Sequence, residues 1–473
     1  MYIRGSTRNL AMKYVVKLPA LLFIISSISL QAQTHSWTGN GGDMDWFNAS
    51  NWDVNAVPDA TSDVLITTGF VVEITTAAAT ANSVQIEATG MLIIQNNFAI
   101  TTSAIVDPQG AFVFKEGVVN ITGTLTNNGT FKFNGPNLKR LENAVLENNG
   151  LILVAESNVT QLLNVTINNN SAATLDIASV GGMIQQNNNS VINNFGLLRK
   201  RADGINPIGN FYVITEIMNE GTIDVAQDEI LLLLASQSDF INTPTGVIQG
   251  SGTLDITTDF MNNGIISPAE DGGVGVLDFT NNFELSPSSM LHIDINGTTP
   301  GSYDVISIVG SPILDGSMRI TTSTTDIEEG DQFTVITASN GISSCSLPDT
   351  IVEFDSDGDG LNIWEFDVQC NGNSVILEAS SFLLSSEDIL DETIEFFIHP
   401  NPITAKSQFQ LPTKIDQNSM EITLYNTVGQ QIKKLTTSVE IENFRPSEMG
   451  PGMYFAQLSA ENEITATTRF IVH

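Results

Sequence analysis

The chain has 473 residues, more than one ordinary domain, and 18 Lys and Arg stand against 53 Asp and Glu for a formal charge of -35. Length alone therefore predicts two or three units, or a repeat array that grows by stacking, and the charge repels phosphate backbones and anionic headgroups, which excludes nucleic acid as a partner. Arg319 is the single basic residue between Ala202 and Ala405, so the acidity belongs to the body and suits an extracellular surface with weak divalent-cation association.

Residues Met1–Gln33 carry Arg4, Arg8, Lys13 and Lys17, then an apolar core from Leu18 to Leu30, then the small Ala32. That order of charged, apolar and small-residue regions predicts a signal peptide, with the mature chain starting close to Gln33. Met12 serves equally as a start, since the charged region is complete from there. The apolar core is short for a bilayer, and no later segment approaches a membrane span in length, so the mature protein is expected to have no transmembrane segment.

Thr34–Thr80 is rich in Gly and Asn turns and holds Trp37, Trp46 and Trp52. A stack of coils needs its open end covered, and these indoles are expected to form the core of an N-terminal cap; a sugar-stacking platform is the other reading.

Between Ala81 and Ala379 a seven-residue pattern recurs: apolar-x-Asn-x-Gly-x-apolar. Clear copies are Leu125, Asn127, Gly129 and Phe131; Leu146, Asn148, Gly150 and Ile152; Ile192, Asn194, Gly196 and Leu198; Ile217, Asn219, Gly221 and Ile223; and Phe260, Asn262, Gly264 and Ile266. Weaker copies begin at Ile86, Val106, Ile167 and Phe240, and successive starts lie 19 to 25 residues apart. One coil of a parallel β-solenoid needs about that length. Runs such as TFKF, LILV and TIDV are strand-forming, while Asn and Gly tolerate the left-handed backbone of a corner. Stacked coils would set the asparagines in a hydrogen-bonded amide ladder. The competing fold is a β-sandwich with Asn-Gly hairpins, whose loops would not hold so constant a period.

Chemistry is sparse. The four histidines, His35, His292, His399 and His473, show no metal or triad spacing, and no nucleophile elbow, phosphate loop or zincin helix is present. Arg199, Lys200 and Arg201 form a basic trio that a β-helical polysaccharide lyase would use beside calcium; the expected reading is a solvated turn. In DSDGDGLNIWEF, the residues Asp355, Asp357, Asp359 and Gly360 match the first half of a calcium loop, but position twelve is Phe366 and Glu365 falls one residue early. The flanks read as strands, so a β-hairpin turn is expected there, with calcium as an occasional ligand. Cys345 and Cys370 fall in one sheet region, and an exported chain meets an oxidising compartment, so a disulfide is expected over two free thiols.

Two resemblances follow from these residues. The Trp-rich opening and Asn-Gly coils resemble passenger regions of autotransporter-like surface proteins, and the stretch carrying Ser267, Pro268, Tyr303, Asp304, Gly316, Gly330, Asp331 and Phe333 is similar to their terminal β-helix segment. The alternating strands of a membrane barrel do not follow. Instead, beyond a Ser- and acid-rich linker over Ser380–Glu395, Phe396–His473 resembles the type IX secretion C-terminal sorting domain. Its carriers are His399, Pro400, Asn401 and Pro402; Leu424, Tyr425 and Gly429; Gly450, Gly452 and Tyr454; and Arg469 and Phe470. His399 and Arg469 depart from the usual aromatic or apolar residue and Lys. From its own period-two runs the segment reads as a small antiparallel β-sandwich.

The expected fold is therefore all-β: a parallel β-helix or solenoid body followed by that sandwich. The resemblance implies docking on the type IX outer-membrane translocon, then release or anchoring, so an extracellular or outer-surface location reached through the periplasm. For the body we expect a non-catalytic adhesive or structural passenger, not an enzyme; the alternative is an extracellular glycan-binding module or a polysaccharide lyase.

Overall fold

The computed structural model describes residues 33–155, 159–185, 189–201, 210–233, 240–257, 260–270, 272–324, 326–354, 363–383, 396–399, 401, 403, 407–411, 420–436, 444, 449–460 and 463–472. Among them the protein is all-β apart from one short 3-10 turn at Ala49–Asn51.

The body is a parallel β-solenoid. From Gly117 to Thr322 each coil lays down three short strands, as in Gly117–Ile121, Thr124–Asn127 and Thr130–Phe133. We call these the first, second and third faces, and the third alone is a 12-stranded sheet. Pairing is parallel and in register: on the second face Leu125, Leu146, Ile167, Ile192, Ile217 and Phe240 stack one above another. Alternate residues of every strand point inward, so each stack becomes a continuous apolar column from coil to coil. Phe112, Phe131, Ile152, Leu175 and Leu198 form such a column on the third face, all fully buried.

The asparagines of the repeat are inside. Asn127, Asn148, Asn169, Asn194, Asn219, Asn242 and Asn262 are each 0% exposed. Each Nδ2 donates to Oδ1 of the next asparagine, at 2.7, 2.8, 2.7, 2.6, 2.7 and 2.6 Å in turn. The second amide hydrogen goes to a main-chain carbonyl, as from Asn194 to Thr222 at 3.0 Å. A buried amide is costly unless its donors and acceptor are used, and stacking identical coils uses them everywhere along the ladder except at its first member, whose Oδ1 has no partner.

Two expectations need correction. The corner after these asparagines is not left-handed: neither they nor Gly129, Gly150, Gly196, Gly221 and Gly264 take a positive φ. Glycine is required there by close approach, since a Cβ on Gly221 would lie 2.2 Å from the Gly196 carbonyl oxygen and one on Gly264 would lie 2.1 Å from that of Gly246. Left-handed asparagines occupy the other corner, between the first and second faces, at Asn143 (φ 58) and Asn164 (φ 56), where their amides form an outer ladder at 3.1 Å. Second, the copies at Ile86 and Val106 are two residues out of register. Val106 pairs with Asn127, not Leu125, because the corner from Asp107 to Gly110 is longer and turns through Gln109 at φ 68. The amide ladder thus gives way to apolar residues at both ends, Val106 on one side and Leu285 on the other.

Both ends are covered. At the N-terminus Gln33–Ser36 pairs parallel with Ser62–Ile66, and the segment between them folds over the first coil. At the C-terminus the strands Ile363–Asn371 and Ser374–Leu383 run antiparallel to each other, and the second pairs antiparallel with Gln332–Ala338. Trp364, Phe366, Val375 and Leu377 plug the last coil. Cys345 and Cys370 are disulfide-bonded, with Cα atoms 6.5 Å apart, which ties the last coil to this plug.

The terminal segment has its own core. A four-stranded antiparallel sheet, in the order Gln431–Leu435, Met420–Asn426, Gly452–Ala460, Glu463–Val472, accompanies the two-stranded pair Phe397–His399 and Gln408–Gln410. Ile422, Leu424, Ala456, Leu458 and Phe470 form a cluster separate from that of the body. No helix among the described residues is long and apolar enough to cross a membrane.

Candidate functional site

The three N-terminal tryptophans are packed, not displayed. Trp37, Trp46 and Trp52 are 2%, 0% and 1% exposed, and Trp52 meets the other two edge-on at 4.9 and 5.0 Å. Trp52 Nε1 donates to the Trp46 carbonyl at 2.8 Å. Their faces are consumed by one another and by Phe98, so a sugar has no indole to stack on.

The basic trio is not a solvated turn. Lys200 ends the third-face strand Leu197–Lys200 and points inward, between Ile177 and Val225 in the column of buried residues. At 1% exposure it ion-pairs with Glu229, also 1% exposed, which enters the core from the corner of the next coil. Arg199 and Arg201 flank it outside and close on one carboxylate, Asp176, at 3.1 and 2.7 Å. On the outer row Arg199 is paired in register with Asp176 below and Asp224 above. Burial raises the Asp224 carboxyl above the usual range, Glu270 adds to that, and Arg199 opposes it.

A second buried cluster lies under the loop after Ser267. His292 and Asp294, on the outward side of Met290–Ile295, are 6% and 1% exposed, with His292 Nε2 3.6 Å from Asp294 Oδ1. The Gly272 amide donates to Asp294 at 2.8 Å. Asp304, fully buried, accepts from the amides of Gly275 and Asp294 at 2.8 and 2.9 Å, pinning that loop to the coil. Burial pushes its carboxyl up to about 7, against the two amides and with help from the Asp294 charge. The folded state therefore holds a proton that the unfolded chain loses near pH 4, so this group's contribution is intact below that pH and is lost as pH rises through 7. Asparagine has the shape of the acid and does not titrate, although its NH2 group cannot accept from the second of the two amides. Asp304→Asn should shrink the fall in melting temperature between pH 5.5 and pH 8; an unchanged fall would locate the pH dependence elsewhere. His292 meets Asp294 two residues along its own strand, and its Nε2 lies 3.3 Å from the Thr321 hydroxyl on the paired strand Ser317–Thr322, a neighbour that the sequence alone does not give.

The calcium candidates Asp355, Asp357 and Asp359 lie outside the described residues. Thr350–Val352 and Ile363–Asn371 on either side pair antiparallel. The two nearest described acids have structural partners: Glu353 accepts from the amides of Thr322 and Trp364 at 2.9 and 3.0 Å, and Glu365 from Ser381 at 2.8 Å. Among the described residues no group of three His, Cys, Asp or Glu is placed to hold a metal.

In the terminal module the dispersed motif residues meet. Asn401 Oδ1 accepts from the Ile471 amide at 3.0 Å and its Nδ2 donates to the Arg469 carbonyl at 3.1 Å, so the module's opening motif clasps its last strand. Ile403 adds a main-chain bond to Ile471 at 2.8 Å. Tyr454 stacks on Phe470 at 5.8 Å and donates to the Gly450 carbonyl at 3.0 Å. Gly429, at φ 73, makes the turn that Asn426 closes by accepting from the Gln430 amide at 2.9 Å.

Residues 397–473 match the secretion system C-terminal sorting domain family. No curated protein matches the chain. The matched module points to secretion by the type IX system, and hence to export to the cell surface or the extracellular space.

Proposed function

We propose that the body is a non-catalytic, polyanionic rod with an adhesive or structural role outside the cell, delivered by its sorting module. The observation that carries this reading is where the body's charged side chains go. Lys200 and Glu229 neutralise each other in the core, Asp176 is clamped by two arginines, and Asp304 pins a loop. Such groups hold coils together. Catalysis on glycans instead needs paired carboxylates with separated pKa values, or a base beside a metal, open to substrate.

The outer row Asp176, Arg199, Asp224 favours a second reading, an anionic-glycan lyase or binding face, since it sets a guanidinium between two acids of which one has a raised pKa. A reducing-sugar and unsaturated-product screen of the purified protein against plant, algal and bacterial polysaccharides, with calcium present, separates the two. We expect no turnover; turnover that disappears in Arg199→Ala/Arg201→Ala would replace the passive reading with the lyase.

A further inference from the structure

The sheet of the sorting module has two unlike sides. Tyr454, Ala456, Leu458, Phe470 and Val472 point into the module's core. The alternate residues must then point out, and three of them are large and apolar: Met453, Phe455 and Ile471, at 44%, 36% and 43% exposure. They are contiguous, because Met453 pairs with Ile471 and Phe455 pairs with Arg469 across the last two strands, while Tyr425 continues the row beside Phe455. The strip is therefore centred on Phe455 and carries one cation, Arg469, at the end of the row from Tyr425 through Phe455, on the last strand.

Charge distinguishes this surface from the rest of the chain. Residues 396–473 hold six basic and seven acidic side chains, whereas residues 33–395 hold eight against 46. A partner that must pick this module out of a polyanion has an apolar, nearly neutral strip to read, and an acid of its own would pair with Arg469 and repel the body. The clasp from Asn401 holds the last strand, and so the strip, in place.

We propose that Tyr425, Met453, Phe455 and Ile471, with Arg469 at the end of their row, form the face by which the module docks on an outer-membrane protein of the secretion apparatus, one presenting an apolar patch with an acidic group beside it. The proposal rests on the module's being the sorting signal. Two of the exposed apolar residues elsewhere on it, Val428 at 79% and Ile432 at 44%, lie on the turn and the strand at the other edge of the sheet and serve as the comparison.

The test is export of the full chain from its own host, read as the ratio of external to cell-retained protein. The variants are Met453→Ser/Phe455→Ser/Ile471→Ser, Arg469→Glu, Val428→Ser/Ile432→Ser, and a chain lacking 396–473. The strip triple variant should lose at least tenfold, Arg469→Glu severalfold, and the far-edge pair less than twofold. Phe455→Leu, which keeps an apolar surface, should export normally where Phe455→Ser does not, a contrast that folding defects would not produce at an exposed site. Normal export of the triple variant, or an equal loss in the far-edge pair, overturns the face. Normal export of the truncated chain overturns instead the sorting assignment beneath it.

Discussion

Asn194→Leu should destabilise the solenoid by about 3–5 kcal/mol, more than the same change at Asn127. Asn194 sits in mid-ladder. It accepts from Asn169 at 2.7 Å and donates to Asn219 and to the Thr222 carbonyl at 2.6 and 3.0 Å. Replacing it leaves the Asn169 amide, the Asn219 oxygen and that carbonyl short of a partner where no water reaches, at about 1–3 kcal/mol for each group left bare. Asn127 ends the ladder against Val106 and its Oδ1 already has no partner, so Asn127→Leu strands fewer groups and should cost about half as much. Urea unfolding with hydrogen exchange of the neighbouring coils measures both, since a stacked array opens locally and is not two-state. Equal costs at the two positions would mean that the ladder is a set of independent amides.

Glu229→Gln should cost a comparable amount, about 3–5 kcal/mol, because it leaves the Lys200 ammonium uncompensated in an apolar column. The pair is not needed for the fold. Lys200→Met/Glu229→Leu fills the same column with apolar atoms and should return to within about 1 kcal/mol of the starting protein or exceed it. A double variant as unstable as Glu229→Gln would show that the ion pair itself, and not its loss of balance, supports the coil.

Much of the architecture was legible because a coil repeats its chemistry. The recurring Asn-x-Gly exposed the period, the parallel stacking and the inner amide ladder, and period-two runs exposed the terminal sheet. The physical role of the glycines was not legible, since sequence cannot distinguish a residue needed for positive φ from one needed for close approach of the coil below. Lys200 was hidden by its neighbours: three consecutive cations read as a solvated turn. A signal was present, because Lys200 falls four residues after Gly196, as Phe133 does after Gly129 and Val154 after Gly150, and that position always points inward. The two-residue shift at Val106 came from a longer corner that keeps its glycine. Asp294 and Asp304 meet through a returning loop, a contact no local pattern encodes.

The central claim, that a self-contained rod is exported by its last module, is tested most directly by fractionating cells that make the chain without Phe396–His473. The separate cores of body and module predict a truncated protein that is folded, protease-resistant and confined to the periplasm, while the full chain reaches the surface or the medium. Truncated protein in the medium at the level of the full chain would contradict the account.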